Sequence, residues 1–215
     1  MIQNNYEIKQ YMRHLSLFCF LFLSTFIHAQ QVGDIFKSIP AELLPGISEG
    51  NKTMLLVDKG KTTVPYSLGE IEKVVHGDDY LQFNTSDVGT LQLKLLPVSD
   101  DSVIVCLVRT VCATVCDSHL SFYTSDWKKL DSKLFLPDIS VEYFLNSSPK
   151  KPKNDKYAVS LPDISPITAT FSETGTDLTL KLHYEERLTD EQIQNLRPLL
   201  KSDSVILKWS HASFR

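Results

Sequence analysis

The chain has 215 residues, with 22 Lys and Arg residues against 26 Asp and Glu residues and a net charge of −4. This acidic balance, together with the lack of any basic patch, excludes the usual kind of nucleic-acid-binding protein. The length is sufficient for one soluble globular domain or two small ones.

The first residues show the three-part pattern of a secretory signal peptide. Lys9 and Arg13 supply positive charge, residues 15–27 are almost continuously apolar, and Ala29 is the small residue that signal peptidase requires. A transmembrane helix needs ~20 apolar residues, more than this run provides. We therefore predict that residues 1–29 are a cleaved signal peptide, that the protein is periplasmic or secreted, and that no membrane span remains after cleavage.

Beyond the signal peptide, the cysteines are Cys106, Cys112 and Cys116. An exported chain meets an oxidising compartment, so Cys112 and Cys116 are a candidate disulfide across the tight turn at 113–115. An odd number of cysteines leaves one thiol over, and we interpret Cys106 as a small, buried core residue. The Cys-x-x-x-Cys spacing is uncommon for zinc and no paired histidines follow, so neither a metal nor a cofactor is predicted.

The first half of the mature chain, residues 30–145, is predicted to begin with helices and to continue as strands. Two short helices are predicted, one over residues 34–44 and one that Ser48 caps and Gly60 closes, followed by a third, brief helical turn over residues 67–75. From Tyr80 the apolar residues alternate with polar ones, which indicates strands. The predicted strands cover residues 80–83, 91–95, 102–110, 118–123 and 141–145. Because the turns between them are short, we expect an antiparallel meander, with residues 102–110 as a central strand covered on both faces.

Residues 146–156 are polar, with two prolines and four lysines, and predict a linker or an exposed loop. The remaining residues, 157–215, form a smaller β-rich half with one helix. In that helix Thr189 and Gln192 make a capping box at the start, and Pro198 is expected to end or kink it. The predicted strands of this half cover residues 167–171, 178–182 and 204–209.

The two halves contain similar segments in the same order. Residues 91–95 (LQLKL) resemble residues 178–182 (LTLKL), and the tetrapeptide DSVI occurs at both 101–104 and 203–206. We interpret the similarity as an internal repeat of a strand–turn–strand–strand unit, in which one copy carries the helix. The alternative interpretation is that any two antiparallel hairpins share alternating leucines and turn residues.

The tripeptide Asp117-Ser118-His119 contains the three residue types of a serine hydrolase. Neighbouring residues on a strand point to opposite faces, however, and no Gly-x-Ser-x-Gly turn accompanies them. We therefore interpret these residues as a turn that leads into a strand, with His119 on the solvent face.

Ser102 and Ser204 each lie in an Asp-Ser-Val tripeptide. This tripeptide fits the acceptor pattern for O-linked glycans in some exported bacterial proteins, so both serines are candidate O-glycan sites. The alternative is that Ser102 is an ordinary turn residue at the start of a strand.

A further series of residues resembles that of a protein family. The series consists of Thr110-Val111, Asp117-Ser118, Phe122-Tyr123 and Trp127. It is similar to a family of exported proteins of Gram-negative gut anaerobes, of Bacteroidales type, to which no activity is assigned. The resemblance covers nearly all of the mature chain and implies export and an α+β fold, but no catalytic residues.

We therefore predict an α+β fold: a mainly antiparallel sheet with short N-terminal helices and a second, smaller sheet-plus-helix half. The predicted function is that of a non-catalytic exported protein, which binds an unknown envelope protein or a small ligand through its aromatic-rich first half. The alternative is an envelope hydrolase whose site is assembled from scattered residues such as His76, Asp79 and His119. The residues that make the first half rich in aromatic side chains are Phe83, Phe122, Tyr123, Trp127, Phe135, Tyr143 and Phe144.

Overall fold

The computed structural model describes residues 31–67, 69–99, 101–146 and 166–215. The predicted signal peptide and all but the first residue of the predicted linker at 146–156 lie outside these ranges. Within these ranges, no helix is both long enough and apolar enough to cross a membrane.

Two short helices precede the sheet. Helix α1 covers Val32–Lys37 and helix α2 covers Glu49–Leu55. The first ends earlier than predicted because Pro40 disfavours helical backbone at the residue before it. The second begins where predicted, since the Ser48 hydroxyl accepts a hydrogen bond from the Asn51 N–H at 3.1 Å.

A seven-stranded antiparallel sheet follows, and its strands are hydrogen-bonded in chain order from β1 to β7. The predicted meander and the α+β class are therefore confirmed. The strands are β1 Thr62–Tyr66, β2 Gly69–His76, β3 Tyr80–Ser86, β4 Gly89–Ser99, β5 Ser102–Cys112, β6 Cys116–Thr124 and β7 Lys129–Leu130.

The third predicted helix is wrong, because residues 69–76 form strand β2. Its inward-facing residues include both Ile71 and Lys73, whose side chains are fully buried. Lys73 reaches the core because its Nζ donates a hydrogen bond to the Asp58 carbonyl in the loop that precedes β1. A lysine at a core position hides the two-residue period of a strand, which explains the misinterpretation.

The middle of the large sheet is buried on both faces. In β5, residues 104–108 are all buried, which confirms the prediction of a central strand. One face packs against the N-terminal helices, where the rings of Phe36 and Phe83 stack with centroids 4.6 Å apart. The opposite face, which includes Phe122, packs against a second, smaller sheet.

The smaller sheet has three antiparallel strands in the order β10-β9-β8. Its strands are β8 Ile167–Phe171, β9 Leu178–Leu182 and β10 Ser204–Leu207. Helix α3, Asp190–Leu196, connects β9 to β10 and begins with the predicted capping box. It ends before Pro198, as expected, and a 3-10 turn follows it. The chain closes with the two-residue strands β11 Trp209–Ser210 and β12 Ser213–Phe214.

The predicted strand at 141–145 is also wrong. Val141–Phe144 is a 3-10 helix, and only Leu145 makes a single bridge, to Leu200. The helical turn directs the Phe144 ring into the core between the two sheets, where it is fully buried. Burial of this one aromatic ring overrides the preference of the local sequence for a strand.

The internal repeat stays a prediction. Strands β3–β5 and β8–β10 are both antiparallel meanders, but their pairing registers differ. Leu93 pairs with Leu107, whereas its counterpart Leu180 pairs with Val205, the counterpart of Val103. The similar segments therefore do not occupy equivalent positions in their sheets.

Candidate binding groove

The smaller sheet is joined to the larger one through the outer edge of strand β8. Three alternate backbone N–H groups of this strand donate hydrogen bonds to side chains of the large sheet. They join Ile167 to Asp117 Oδ1 at 3.1 Å, Ala169 to Ser118 Oγ at 3.0 Å and Phe171 to Gln92 Oε1 at 2.9 Å. The side chains take the place of a neighbouring strand, so the edge of β8 is satisfied without a further ladder.

These hydrogen bonds give a structural role to two residues of the tripeptide at 117–119, which contains the residue types of a serine hydrolase. Ser118 Oγ accepts the Ala169 N–H and also lies 2.7 Å from the hydroxyl of Thr110. Asp117 accepts the Ile167 N–H, and His119 is exposed on β6 opposite Arg109. Asp117 and Ser118 therefore hold the two sheets together.

The scattered residues of the alternative hydrolase site are not brought together. His76 Nδ1 lies 3.2 Å from the Asp58 carbonyl oxygen, and Asp79 Oδ1 accepts a hydrogen bond from Lys94 at 2.9 Å. Three strands separate β2, which carries His76, from β6, which carries His119, a distance of about 19 Å across a sheet. Among the residues that the structure describes, no group of three or more His, Cys, Asp or Glu side chains is placed to hold a metal ion.

A groove of about 740 Å³ opens beside β6. It forms because β7 pairs with β6 over only two residue pairs, Phe122–Leu130 and Tyr123–Lys129. Asp131 then caps a 3-10 turn, Ser132–Leu134, that carries the chain away from the β6 edge. The lining residues within the described ranges are Asp117, Ser118, Leu120, Ser132, Lys133, Leu136, Pro137, Asp138, Ile139, Ile167 and Leu180.

The lining combines an apolar interior with charged side chains. Leu120, Ile139 and Ile167 belong to or pack against the core between the two sheets, so the interior of the groove is continuous with that core. Lys133 and Asp138 are exposed and also line the groove. Such a combination is suited to ligands that present apolar groups together with a few polar ones.

The aromatic residues that the sequence singled out do not line this groove. Phe83, Phe122, Tyr123, Phe135 and Phe144 are buried core residues. They act in packing, and the groove is lined instead by aliphatic side chains that sequence reasoning had not selected.

Trp127 fastens helix α1 to the large sheet. Its indole N–H lies within hydrogen-bonding distance of the Ile35 carbonyl, at 3.3 Å, and of the Ser38 hydroxyl, at 3.1 Å. Its ring also packs against Tyr123, with centroids 5.6 Å apart. This tryptophan therefore has a structural role.

The cysteines are placed as the sequence suggested. Cys112 and Cys116 are paired across the β5–β6 hairpin, with their sulfur atoms 2.09 Å apart, so this candidate disulfide is confirmed. Cys106 is fully buried in β5, and burial raises the pKa of its thiol. A buried thiol that stays protonated is unsuited to redox chemistry.

The candidate O-glycan sites lie in similar positions on different sheets. Ser102 is exposed at the start of β5, whereas Ser204 is half-buried at the start of β10. Glycosylation at either serine stays a prediction.

Comparison with known proteins places the chain among proteins of the same fold. A solved structure of a domain of an uncharacterized protein from Porphyromonas gingivalis W83 superposes with a TM-score of 0.74. The sequences are 24% identical, and the match covers 87% of this chain and 98% of that one. That organism belongs to the Bacteroidales, the group to which the sequence resemblance pointed. No curated protein matches the chain. Residues 24–214 match the model of a family of proteins of unknown function, DUF3256, and the chain therefore belongs to this family.

Proposed function

We propose that this protein is a non-catalytic binding protein of the bacterial cell envelope and that the groove beside β6 is its binding site. The observation that carries the proposal is the groove itself. Its volume of about 740 Å³ lies within the range of about 300–1,000 Å³ that is usual for ligand pockets. Its aliphatic interior and charged residues are the features expected of such a site.

The positions of Asp117 and Ser118 support binding over hydrolysis. Both side chains lie in the groove, yet each accepts a backbone hydrogen bond from β8. A serine nucleophile requires a base that removes its proton, and the neighbouring His119 is on the opposite face of the strand. The export part of the proposal is supported by the signal-peptide pattern of residues 1–29.

The proposal is tested by comparing two variants that carry the same substitution at different places. Asp138→Trp places a large ring at the groove, and Asp87→Trp places the same ring in the exposed β3–β4 turn. Tagged wild-type protein and both variants are used to capture binding partners from the envelope of the native host. The purified proteins are also examined by native mass spectrometry for bound small molecules.

We expect a partner or ligand that is retained by the wild type and by Asp87→Trp and is lost from Asp138→Trp. Equal recovery with both variants would show that the groove is not the binding site. Circular dichroism of all three proteins shows whether each variant is folded.

A further inference from the structure

Strand β6 has an edge that is only partly paired. All of its residues, from Cys116 to Thr124, pair with β5 on one side. On the other side, β7 pairs with Phe122 and Tyr123 alone. Across the described part of the chain, no backbone hydrogen bond reaches residues 117–121 from that second side. This open stretch of β6 borders the groove.

The direction of the unpaired backbone groups follows from the regular geometry of β6. The Thr124 N–H points away from β5, since it donates to the Lys128 carbonyl at 3.0 Å. Residues two apart on a strand direct their backbone groups to the same side, and the β5–β6 register has no bulge. The N–H and C=O groups of Leu120 and Ser118 therefore point toward the groove, and both residues line it.

Three other sheet edges, those of β1, β10 and β8, are protected in the ways usual for native proteins. Strand β1 contains Pro65, which lacks a backbone donor, and β10 covers only residues 204–207. The edge of β8 is satisfied by side chains of the large sheet. Among the described edges, β6 thus combines free backbone groups with an adjoining groove.

We propose that the groove binds an extended segment of a partner polypeptide, which adds to β6 as a strand beside Ser118 and Leu120. This inference rests on the proposed binding function and identifies the class of ligand. The segment takes the position that a longer β7 would occupy. Backbone hydrogen bonds supply affinity in this mode of recognition, and alternate side chains supply specificity.

The lining residues define the chemistry of the segment. Every second side chain of an added strand faces the groove, where Leu120, Ile139 and Leu180 favour aliphatic residues. Among the lining residues that the structure describes, Asp117 and Asp138 are negative and Lys133 is positive, an excess of one negative charge. The preferred segment therefore has an aliphatic residue at every second position and carries a lysine or arginine near one end.

Hydrogen exchange of the free protein tests whether the edge of β6 beside the groove is unpaired. We expect the amides of Ser118 and Leu120 to exchange at least about 100-fold faster than the amide of His119, which points to β5. The comparison is internal to one strand and so requires no variant. Slow exchange at Ser118 and Leu120 would show that this edge is already paired, and it would overturn the proposal.

A random peptide library displayed on phage tests whether a peptide adds to β6 as a strand. Selected peptides are synthesised, and each backbone nitrogen is methylated in turn. Strand addition predicts at least about a tenfold loss of affinity at every second position and little change at the positions between, because only alternate amides donate to β6. Losses without this alternation would overturn the proposal.

Charge variants complete the test. Asp138→Lys is expected to weaken the selected peptides at least about tenfold, whereas Asp87→Lys, the same change in the exposed β3–β4 turn outside the groove lining, leaves affinity within about twofold. Equal effects of the two variants would overturn the assignment of the groove. If no library peptide binds but a small molecule is retained by the wild type and lost from Asp138→Trp, strand addition fails and the proposed binding function stands.

Discussion

The contact between β8 and the large sheet offers a direct test of how the groove is held in shape. Gln92 lies on β4 with its side chain almost fully buried, and its Oε1 accepts the N–H of Phe171 at 2.9 Å. Substitution of Gln92→Met retains an unbranched side chain of similar length but removes the acceptor. The Phe171 N–H then stays buried without a partner.

The magnitude follows from the cost of one unsatisfied buried donor. Such a group costs about 1–3 kcal/mol. For a domain of this size, each kcal/mol lowers the melting temperature by about 2–4 °C, so the expected decrease is roughly 2–12 °C. We also expect faster hydrogen exchange of the Phe171 amide, because the lost bond is one of three that join β8 to the large sheet.

Thermal unfolding, monitored by circular dichroism, measures the decrease in melting temperature. Hydrogen exchange of the Phe171 amide measures the local change at β8. The control is Gln194→Met on the exposed face of α3, which is expected to change stability by less than about 0.5 kcal/mol. If Gln92→Met melts within about 1 °C of the wild type and the Phe171 amide exchanges at the wild-type rate, the proposed role of Gln92 is refuted.

Three further predictions concern stability. Replacing both Cys112 and Cys116 by serine opens a loop of about five residues and should lower the free energy of unfolding by about 2 kcal/mol in urea titrations under oxidising conditions. Burial lowers the pKa of Lys73, against the attraction of Asp58, so the unfolded chain binds more protons below pH 10.5. The contribution of Lys73 to stability should therefore increase as the pH rises toward 10.5. In urea titrations at several alkaline pH values, the free energy of unfolding of the wild type should rise relative to that of Lys73→Met. Ser48→Ala removes the acceptor for the first turn of α2 and should cost about 1 kcal/mol by thermal unfolding.

Each of these has an outcome that contradicts it. The cysteine variant should match the wild type once both are measured in reductant, and a difference that persists there would show an effect other than the disulfide. If the free energies of unfolding of the wild type and Lys73→Met change in parallel across the alkaline range, burial does not lower the pKa of Lys73. For Ser48, a glycine variant that is much less stable than the alanine variant would contradict a capping role, since glycine is the better N-cap of the two.

Several local features could be predicted from sequence because neighbouring residues decide them. The capping box of Thr189 and Gln192, the cap at Ser48 and the end of α3 before Pro198 each depend on a few consecutive residues. The same holds for the disulfide, since Cys112 and Cys116 flank a tight turn. The meander was predictable too, because short turns between alternating segments allow only antiparallel neighbours.

Other features depended on residues that are distant in the chain. Strand β2 is not recognisable from sequence because Lys73 occupies a core position, and this requires the carbonyl of Asp58 in the loop before β1. The segment at 141–144 became a 3-10 helix because the Phe144 ring fits the core between the sheets. Local propensity is overridden where burial of a large side chain contributes more than the backbone preference.

The sequence by itself determined the α+β class, the antiparallel meander, the caps and the disulfide, because these follow from local periodicity and turn chemistry. Only the tertiary structure decided that Asp117 and Ser118 accept hydrogen bonds from β8, a contact between residues about fifty positions apart. It also decided the groove, whose walls come from β6, the segment after β7, and the smaller sheet. No periodicity records where one strand stops pairing with another, since that point depends on how the two sheets pack together.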